Sequence, residues 1–230
     1  MKTLQAIIFD VDGTLAETER DGHRPAFNRA FAEAGLDWHW DEDLYGRLLT
    51  VTGGKERIRH YAAHYAPQTA ARADFGELVA CLHAAKTRHY VALVEAGALP
   101  LRPGVRALIA GARRAGVRLA IATTTSPENV EALLRATLGA EAPGWFEVIG
   151  AGDVVPAKKP APDIYHWVLE RLALPAAACL AVEDSANGLH AAQTAGIPTL
   201  VTLSEYTVEQ DFAGAMLILR DLGQLGLAPA

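Results

Sequence analysis

The stretch "AIIFDVDGTLAETE", residues 6–19, decides how the rest of the chain is read. Its opening residues 6–9 are an apolar run of the length that suits a buried strand. The run ends on Asp10, skips one residue, reaches Asp12 and turns at Gly13-Thr14. An ionised carboxylate taken out of water is costly unless a cation or several hydrogen bonds compensate it. Two carboxylates at the end of one buried strand therefore point to a site. An Asp-Gly pair by itself is a common solvated turn. The rest of the chain has to decide between the two.

The 230 residues suit one large domain or a core with a smaller second lobe, and half of them are hydrophobic, as in ordinary globular proteins. A formal charge of −6 gives no footing for nucleic acid. No apolar stretch approaches the roughly 20 residues of a membrane helix. The first apolar run breaks at Asp10, too early for a secretory signal, so a cytoplasmic location is expected. The two cysteines, Cys81 and Cys179, stand far apart amid alanine and leucine and are expected to be buried free thiols. No Cys or His cluster has zinc-ligand spacing.

Beyond Thr14 the strand texture stops. Residues 24–97 read as successive helices in "PAFNRAFAEAG", "DEDLYGRLLT" and "ADFGELVACLHAAKTRHYVALVEAG", with apolar residues at three- and four-residue spacing. After "ALPLRPG" a helix from Val105 ends at Ala115-Gly116 and the strand "VRLAIA" follows; "AAQTAGIPTLV" repeats that junction. Further strands are expected at "FEVIG" (146–150), "ACLAV" (178–182) and "AMLIL" (215–219). Strands alternating with helices predict an α/β fold, a Rossmann-like parallel sheet covered on both faces, with residues 17–97 inserted after the first strand as a helical cap. The core is then 1–16 with 98–230. In such sheets ligands sit beyond the carboxyl ends of the strands, where Asp10 and Asp12 stand.

Other strands deliver polar groups to the same rim. "VRLAIA" runs into Thr123-Thr124-Thr125, "ACLAV" into Glu183-Asp184-Ser185, and "PAKKPAPDIY" places Lys159 before Pro160 and a helix from Asp163. Several carboxylates collected together repel one another unless a divalent cation holds them, and an all-oxygen set suits Mg²⁺ with room left for a substrate phosphate. With the phosphoryl charge neutralised by the cation, an ammonium and a hydroxyl, a carboxylate can attack phosphorus. A second acid is needed to protonate the leaving alkoxide and later to activate water.

These motifs, "DVDGT", Thr123, Lys159 in "KKPAPD" and "EDS", occur in the order and positions of the haloacid dehalogenase superfamily, and the chain resembles its phosphatases with a small helical cap over its whole length. The resemblance implies Asp10 as nucleophile and Asp12 as general acid/base. It implies Thr123 and Lys159 as phosphoryl ligands, and Mg²⁺ held by Asp10, the Asp12 carbonyl, Glu183 and Asp184. "AETE", "HRPAFN", "TVTGGKERI", "ATTTS", "KKPAPDIY" and "EDSANGL" are similar to the CbbY-like subgroup, whose members dephosphorylate xylulose 1,5-bisphosphate, an inhibitor of Rubisco. That implies a small-molecule sugar phosphate as the partner; from charge and hydropathy neither nucleic acid nor membrane is expected, and the chain is expected to be a monomer. Gly22 and Pro25 depart from the pattern and are expected to shift the start of the first cap helix, with consequences for Glu17 and His23 as substrate contacts.

Within the cap, "TGGKE" (52–56) lacks the spacing of a P-loop, yet paired glycines opening a helix expose amides to an anion. Thr52, Gly53, Gly54 and Lys55, with Arg47 a turn upstream, are the candidates for a second substrate phosphate. Thr124 joins the candidate substrate contacts, while Ser126-Pro127-Glu128 reads as N-cap, N1 and N2 of the next helix. Lys158 is taken as the solvated neighbour of Lys159. Glu56, His60 and His64 share a helix face that is expected to be solvated, and Trp38 and Trp40 are expected to anchor a loop. Rival readings are a β-phosphoglucomutase-like mutase, a phosphoglycolate phosphatase, and a phospho-accepting signalling domain. The last orders its acidic pair and acceptor aspartate the other way round along the chain.

Overall fold

A computed structural model describes residues 4–227. The first strand, β1 (Ala6–Phe9), is followed by a π-helical turn, Glu19–His23, and five helices: α1 (Arg24–Glu33), α2 (Glu42–Leu48), α3 (Gly54–Tyr65), α4 (Pro67–Ala70) and α5 (Phe75–Glu95). Then come α6 (Val105–Arg114), β2 (Arg118–Ala122), α7 (Pro127–Leu138), β3 (Phe146–Gly150), α8 (Asp163–Leu172), β4 (Cys179–Glu183), α9 (Ala186–Thr194), β5 (Thr199–Thr202) and β6 (Leu217–Leu219). The six strands form one parallel sheet in the order β3-β2-β1-β4-β5-β6.

The continuous apolar runs follow from burial on both faces. Ile7 and Phe9 of β1 join Leu119, Ile121 and Val182 in one core under α6 and α7. Ala6 and Ile8 join Ala120, Ala122 and Ala181 in the other, under α8 and α9. The two expected helix-to-strand junctions share one geometry. Gly116 and Gly196 take positive φ, and the residue after each donates back five residues, Val117 to Ala112 and Ile197 to Ala192.

From β1 the chain order steps outward to β2 and β3 on one side and then to β4, β5 and β6 on the other. That reversal opens a crevice at the carboxyl ends of β1 and β4, the place where such sheets bind ligands. Asp10 is fixed there by its own N–H, which donates to Val182 O at 2.9 Å.

The inserted helices have their own core of Phe27, Phe31, Trp40, Tyr45, Leu48, Ile58, Tyr61, Val79 and Leu82. Trp40 is fully buried, and the Asn28 amide brackets its backbone at 2.8 and 2.9 Å, the anchoring expected of this loop. The helical backbone is continuous from Thr18 through the π-helical turn that holds Gly22 into α1, which has Pro25 in its first turn. A methyl group at Gly22 would stand 2.7 Å from Leu99 Cδ1, so the glycine lets the turn pack against the returning chain. The outgoing and returning segments pair at Ala16 and Leu101, and Arg102 N–H donates to Leu15 O at 2.8 Å.

Three expectations need correction. Cys81 is exposed, because it lies on the outer side of α5 while Val79 and Leu82 turn inward; Cys179 is buried. The last strand spans only Leu217–Leu219 and is an exposed sheet edge, since nothing beyond β5 covers it among the described residues. The fourth strand is shifted by one residue, so Glu183 is its last member.

Candidate active site

The side chain of Lys159 is the hub of the rim. Its ammonium donates to Asp10 Oδ1 at 2.6 Å, Glu183 Oε1 at 2.6 Å and Ala122 O at 2.8 Å, and it is 5% exposed. All three of its donors are thereby used. The neighbouring Lys158 reaches outward instead, to Asp153 at 2.6 Å and to Gly152 O. Tyr165 OH donates to the same oxygen of Glu183, whose other oxygen, Oε2, is buried without a partner. A methyl at Gly188 would stand 1.9 Å from that Oε2, so only glycine lets the first turn of α9 close over Glu183.

Asp184 accepts from Ser204 Oγ at 2.7 Å. Gly13, at φ +79°, lets the chain turn away from β1 beside it, and a Cβ there would lie 2.1 Å from Asp184 Oδ2. Asp10, Glu183 and Asp184 are all buried, and one ligand atom of each lies within 4.8 Å of the others. Burial pushes the Asp10 carboxyl up to about 7 despite the pull of Lys159, and Glu183 and Asp12 add to the rise. Burial likewise raises Asp184 well above the usual carboxylate range, with repulsion from Asp10 and Glu183 added. One ammonium does not offset three carboxyls. An oxygen-only donor set with an orphaned carboxylate oxygen fits a small, hard divalent cation of the Mg²⁺ type.

Asp12 faces the other way. Its Oδ1 accepts from Thr18 Oγ1 at 2.6 Å and meets His23 Nε2 at 2.8 Å, and the imidazole stacks on Tyr90 with ring centroids 4.2 Å apart. Burial alone would raise Asp12; His23 and Thr18 overcome it and hold the carboxyl down at about 2. Thr123 follows β2, is 1% exposed, and pairs its N–H with Gly150 O at 2.9 Å. Ser126 stands at the N-cap of α7 with Pro127 at N1, but its hydroxyl caps nothing.

A cavity of about 390 Å³ opens over this rim, lined by Asp10, Asp12, Thr123, Thr124, Lys159 and Asp184 from the sheet and by Glu19, Thr52 and Arg57 from the insert. Thr52 also accepts from Asn187 Nδ2 at 3.1 Å, across the opening. Gly53 and Gly54 border a smaller adjoining space with Asp12, His23, Arg57, His83 and Lys86. Lys55 pairs with Asp153 at 2.9 Å beside an adjoining cavity of about 550 Å³ that shares Thr124 with the first. Arg47 is exposed on α2 and lines none of these three spaces. Glu17 pairs with Arg102 at 3.1 Å where the insert returns, because the turn at residues 17–19 sends Glu17 outward and Glu19 inward.

Arg57 and Lys86 are the charged residues that sequence reading passed over. A pattern was available. Arg57 stands four residues before Tyr61 on the buried stripe of α3, and Lys86 stands midway between Leu82 and Tyr90 on that of α5. A cation on an inward stripe needs a reason. Arg57 donates to Tyr45 OH at 2.9 Å and lies 3.8 Å from Glu19, while its Nε is buried without a partner. Lys86 sits over the Phe27 and Tyr90 rings, and burial lowers it to about 8. The His60 and His64 rings lie tilted at 32° with centroids 4.2 Å apart, and His64 Nδ1 meets His60 O, as on a solvated face.

With this geometry in view, the chain's relationships are clear. Residues 4–196 match the haloacid dehalogenase-like hydrolase family, and the chain belongs to it; it is an enzyme, a phosphatase of that family. Within the family it is similar to CbbY. It is 56% identical to the plasmid-borne CbbY protein of Cupriavidus necator over 220 residues, which cover 96% of this chain and 86% of the relative. The crystal structure of an aspartate-to-asparagine variant of Rhodobacter sphaeroides CbbY in complex with xylulose-(1,5)bisphosphate superposes with a TM-score of 0.90 at 50% identity, covering 97% of both chains. A β-phosphoglucomutase homologue from Thermotoga maritima is more distant, at 28% identity and a TM-score of 0.67 over 96% of this chain and 98% of that one. No helix among the described residues is long and apolar enough to cross a membrane.

Proposed function

We propose that the chain is a Mg²⁺-dependent sugar-phosphate phosphatase that works through an aspartyl phosphate on Asp10, with xylulose 1,5-bisphosphate as its substrate. The observation that carries the reading is the convergence of Asp10, Lys159 and Asp184 on the floor of a cavity roofed by Arg57, with Glu183 buried behind Lys159. The likeness to the CbbY captured with that bisphosphate supports the choice of sugar. A cytoplasmic location beside carbon fixation follows from the same substrate. In this reading residues 17–97 are the cap and the paired segments at Ala16 and Leu101 its hinge.

Asp10 attacks phosphorus, the phosphorus–ester oxygen bond breaks, and the departing alkoxide takes a proton from Asp12. Asp12 then takes a proton from a water whose oxygen attacks the acyl phosphate; the bond from phosphorus to Asp10 breaks and inorganic phosphate leaves. Lys159 and the Thr123 hydroxyl hold the phosphoryl oxygens. Asp10, the Asp12 carbonyl, Glu183 and Asp184 would hold Mg²⁺, which would neutralise part of the phosphoryl charge. Thr18 and His23 keep Asp12 ionised before substrate arrives; the negative charge of the bound ester raises it, and Asp12 then takes from solvent the proton that it passes to the alkoxide.

Because Asp10 titrates near 7 without a cation, Mg²⁺ binding displaces a proton at mildly acid pH. Calorimetry in two buffers of different protonation enthalpy is expected to report release of close to one proton or more at about pH 6, less at about pH 8, and an affinity that rises between them. Binding at the lower pH without proton release would show Asp10 and Asp184 already ionised.

The second phosphate is assigned to Arg57, with Thr52 and the Gly53-Gly54 amides around it, in place of Lys55. Arg57→Met is expected to cut kcat/KM for the bisphosphate by about 1.5–3 kcal/mol, the worth of a charged hydrogen bond, and to spare a sugar monophosphate. Lys55→Ala, which breaks a largely exposed ion pair, should cost below about 1 kcal/mol on either substrate. Phosphate-release kinetics on both substrates decides this. Equal losses on the two substrates in Arg57→Met would remove the bisphosphate assignment's physical basis.

A further inference from the structure

One short turn touches both the acidic cluster and the inserted helices. Ser204 follows β5, and its hydroxyl is the donor held on Asp184 Oδ2 at 2.7 Å. Ser204 N–H donates to Thr207 Oγ1 at 3.0 Å, and Thr207 N–H donates to Ser204 O at 3.1 Å, so the four residues 204–207 are braced into one unit. Gln210, whose N–H donates to Thr207 O at 2.9 Å, accepts from Ala186 N–H at 2.8 Å. The turn is thus tied twice to the segment that carries Asp184.

On its other side the turn presents Tyr206 to the insert. The ring stands edge-on to Tyr45 with centroids 5.9 Å apart and packs onto the aromatic core of α1–α3. It fits against Gly46 of α2, where a Cβ would stand 3.1 Å from the ring. Tyr45 in turn donates to Glu19 and accepts from Arg57, two side chains that roof the cavity over Asp10. The Tyr206 hydroxyl is buried and bonds to nothing, so the residue works here as a ring, and its shape is what matters. The adjacent Glu205–Arg20 ion pair is exposed and adds little.

We propose that Tyr206 is a positioning residue: seated against Gly46 it registers the cap over Asp10, and through the braced turn it links that seating to the placement of Asp184. Cation binding and cap seating then favour one another, by the reciprocity that any such coupling obeys. The proposal rests on reading Asp10, Glu183 and Asp184 as the cation site.

The test needs no substrate. Mg²⁺ alone is titrated calorimetrically into the wild type, Tyr206→Phe, Tyr206→Ala and Gly46→Leu. Tyr206→Ala removes the ring from the core side, and Gly46→Leu fills its seat from the cap side. Both are expected to weaken Mg²⁺ binding about five-fold or more, the lower range of coupling between sites, while Tyr206→Phe binds as the wild type does. Because the two variants disturb opposite elements, a local folding defect in one does not account for a loss common to both. Wild-type affinity in Tyr206→Ala and Gly46→Leu would overturn the coupling even if bisphosphate turnover fell. A wild type that binds no Mg²⁺ would overturn the cation site itself, and the coupling with it.

Discussion

Asp10→Asn is expected to reduce phosphate release from xylulose 1,5-bisphosphate at least about a hundred-fold while leaving the fold intact, because covalent catalysis fails without its nucleophile. The amide is nearly isosteric, so packing at the end of β1 is unchanged and the Lys159 contact can persist to the remaining carbonyl oxygen. What is lost is the attacking oxygen and an anionic cation ligand. The buried carboxyl that burial raises to about 7 also disappears, so the metal-free variant escapes the cost of ionising it. Above about pH 7 the metal-free variant should therefore melt no lower than the wild type, by the linkage between a raised carboxyl pKa and stability. The sign follows from the direction of the shift: a raised carboxyl pKa stabilises the fold at low pH, and that contribution is lost as pH rises through about 7. Kinetics and a melting curve on the same preparation test both halves. A variant retaining more than about a hundredth of the wild-type rate would remove Asp10 from the nucleophile role.

Lys159→Ala should be as damaging to turnover and far more damaging to the fold. Among the described residues the ammonium is the one cation hydrogen-bonded to both Asp10 and Glu183, and Glu183 is fully buried. Removing one partner of a buried ion pair leaves an uncompensated charge, worth about 3–5 kcal/mol of stability. The metal-free variant is expected to lose that much in denaturant unfolding and to recover part of it when Mg²⁺ is added, since the cation supplies some of the missing positive charge. Its kcat should fall about a hundred- to a thousand-fold even with Mg²⁺ present, as for loss of a donor aimed at developing charge. Unchanged stability would mean that Asp10 and Glu183 are compensated by something other than Lys159.

The sheet was legible because its signals are local. "FEVIG" is β3 to the residue, and the glycines after α6 and α9 end those helices as their positions require. Apolar runs do not say what will cover them. "AMLIL" therefore reads like the buried strands although β6 is an exposed edge, and Cys81 reads like its buried neighbours although the twist of α5 turns it outward. The rim residues were legible for a related reason. Asp10, Thr123 and Glu183-Asp184 close the ends of adjacent strands, so the register of a parallel sheet brings them together without any knowledge of side-chain direction. In the insert that shortcut is missing. Lys55 and Arg57 are two positions apart on one helix, yet one reaches Asp153 outside and the other roofs the cavity; Glu17 and Glu19 divide in the same way at the turn before α1. Which member of each pair faces the site is settled by how the insert packs on the sheet, and that is a tertiary property.

The central claim, transfer of the phosphoryl group through Asp10, is tested most directly by a single turnover. Xylulose 1,5-bisphosphate carrying labelled phosphate is mixed with excess enzyme and Mg²⁺, quenched in acid at successive times, and the protein is digested and mapped. The account predicts that label appears transiently on the peptide containing Asp10 and then passes wholly into inorganic phosphate. Label that moves into inorganic phosphate without residing on the protein, or that resides on any other residue, would contradict it.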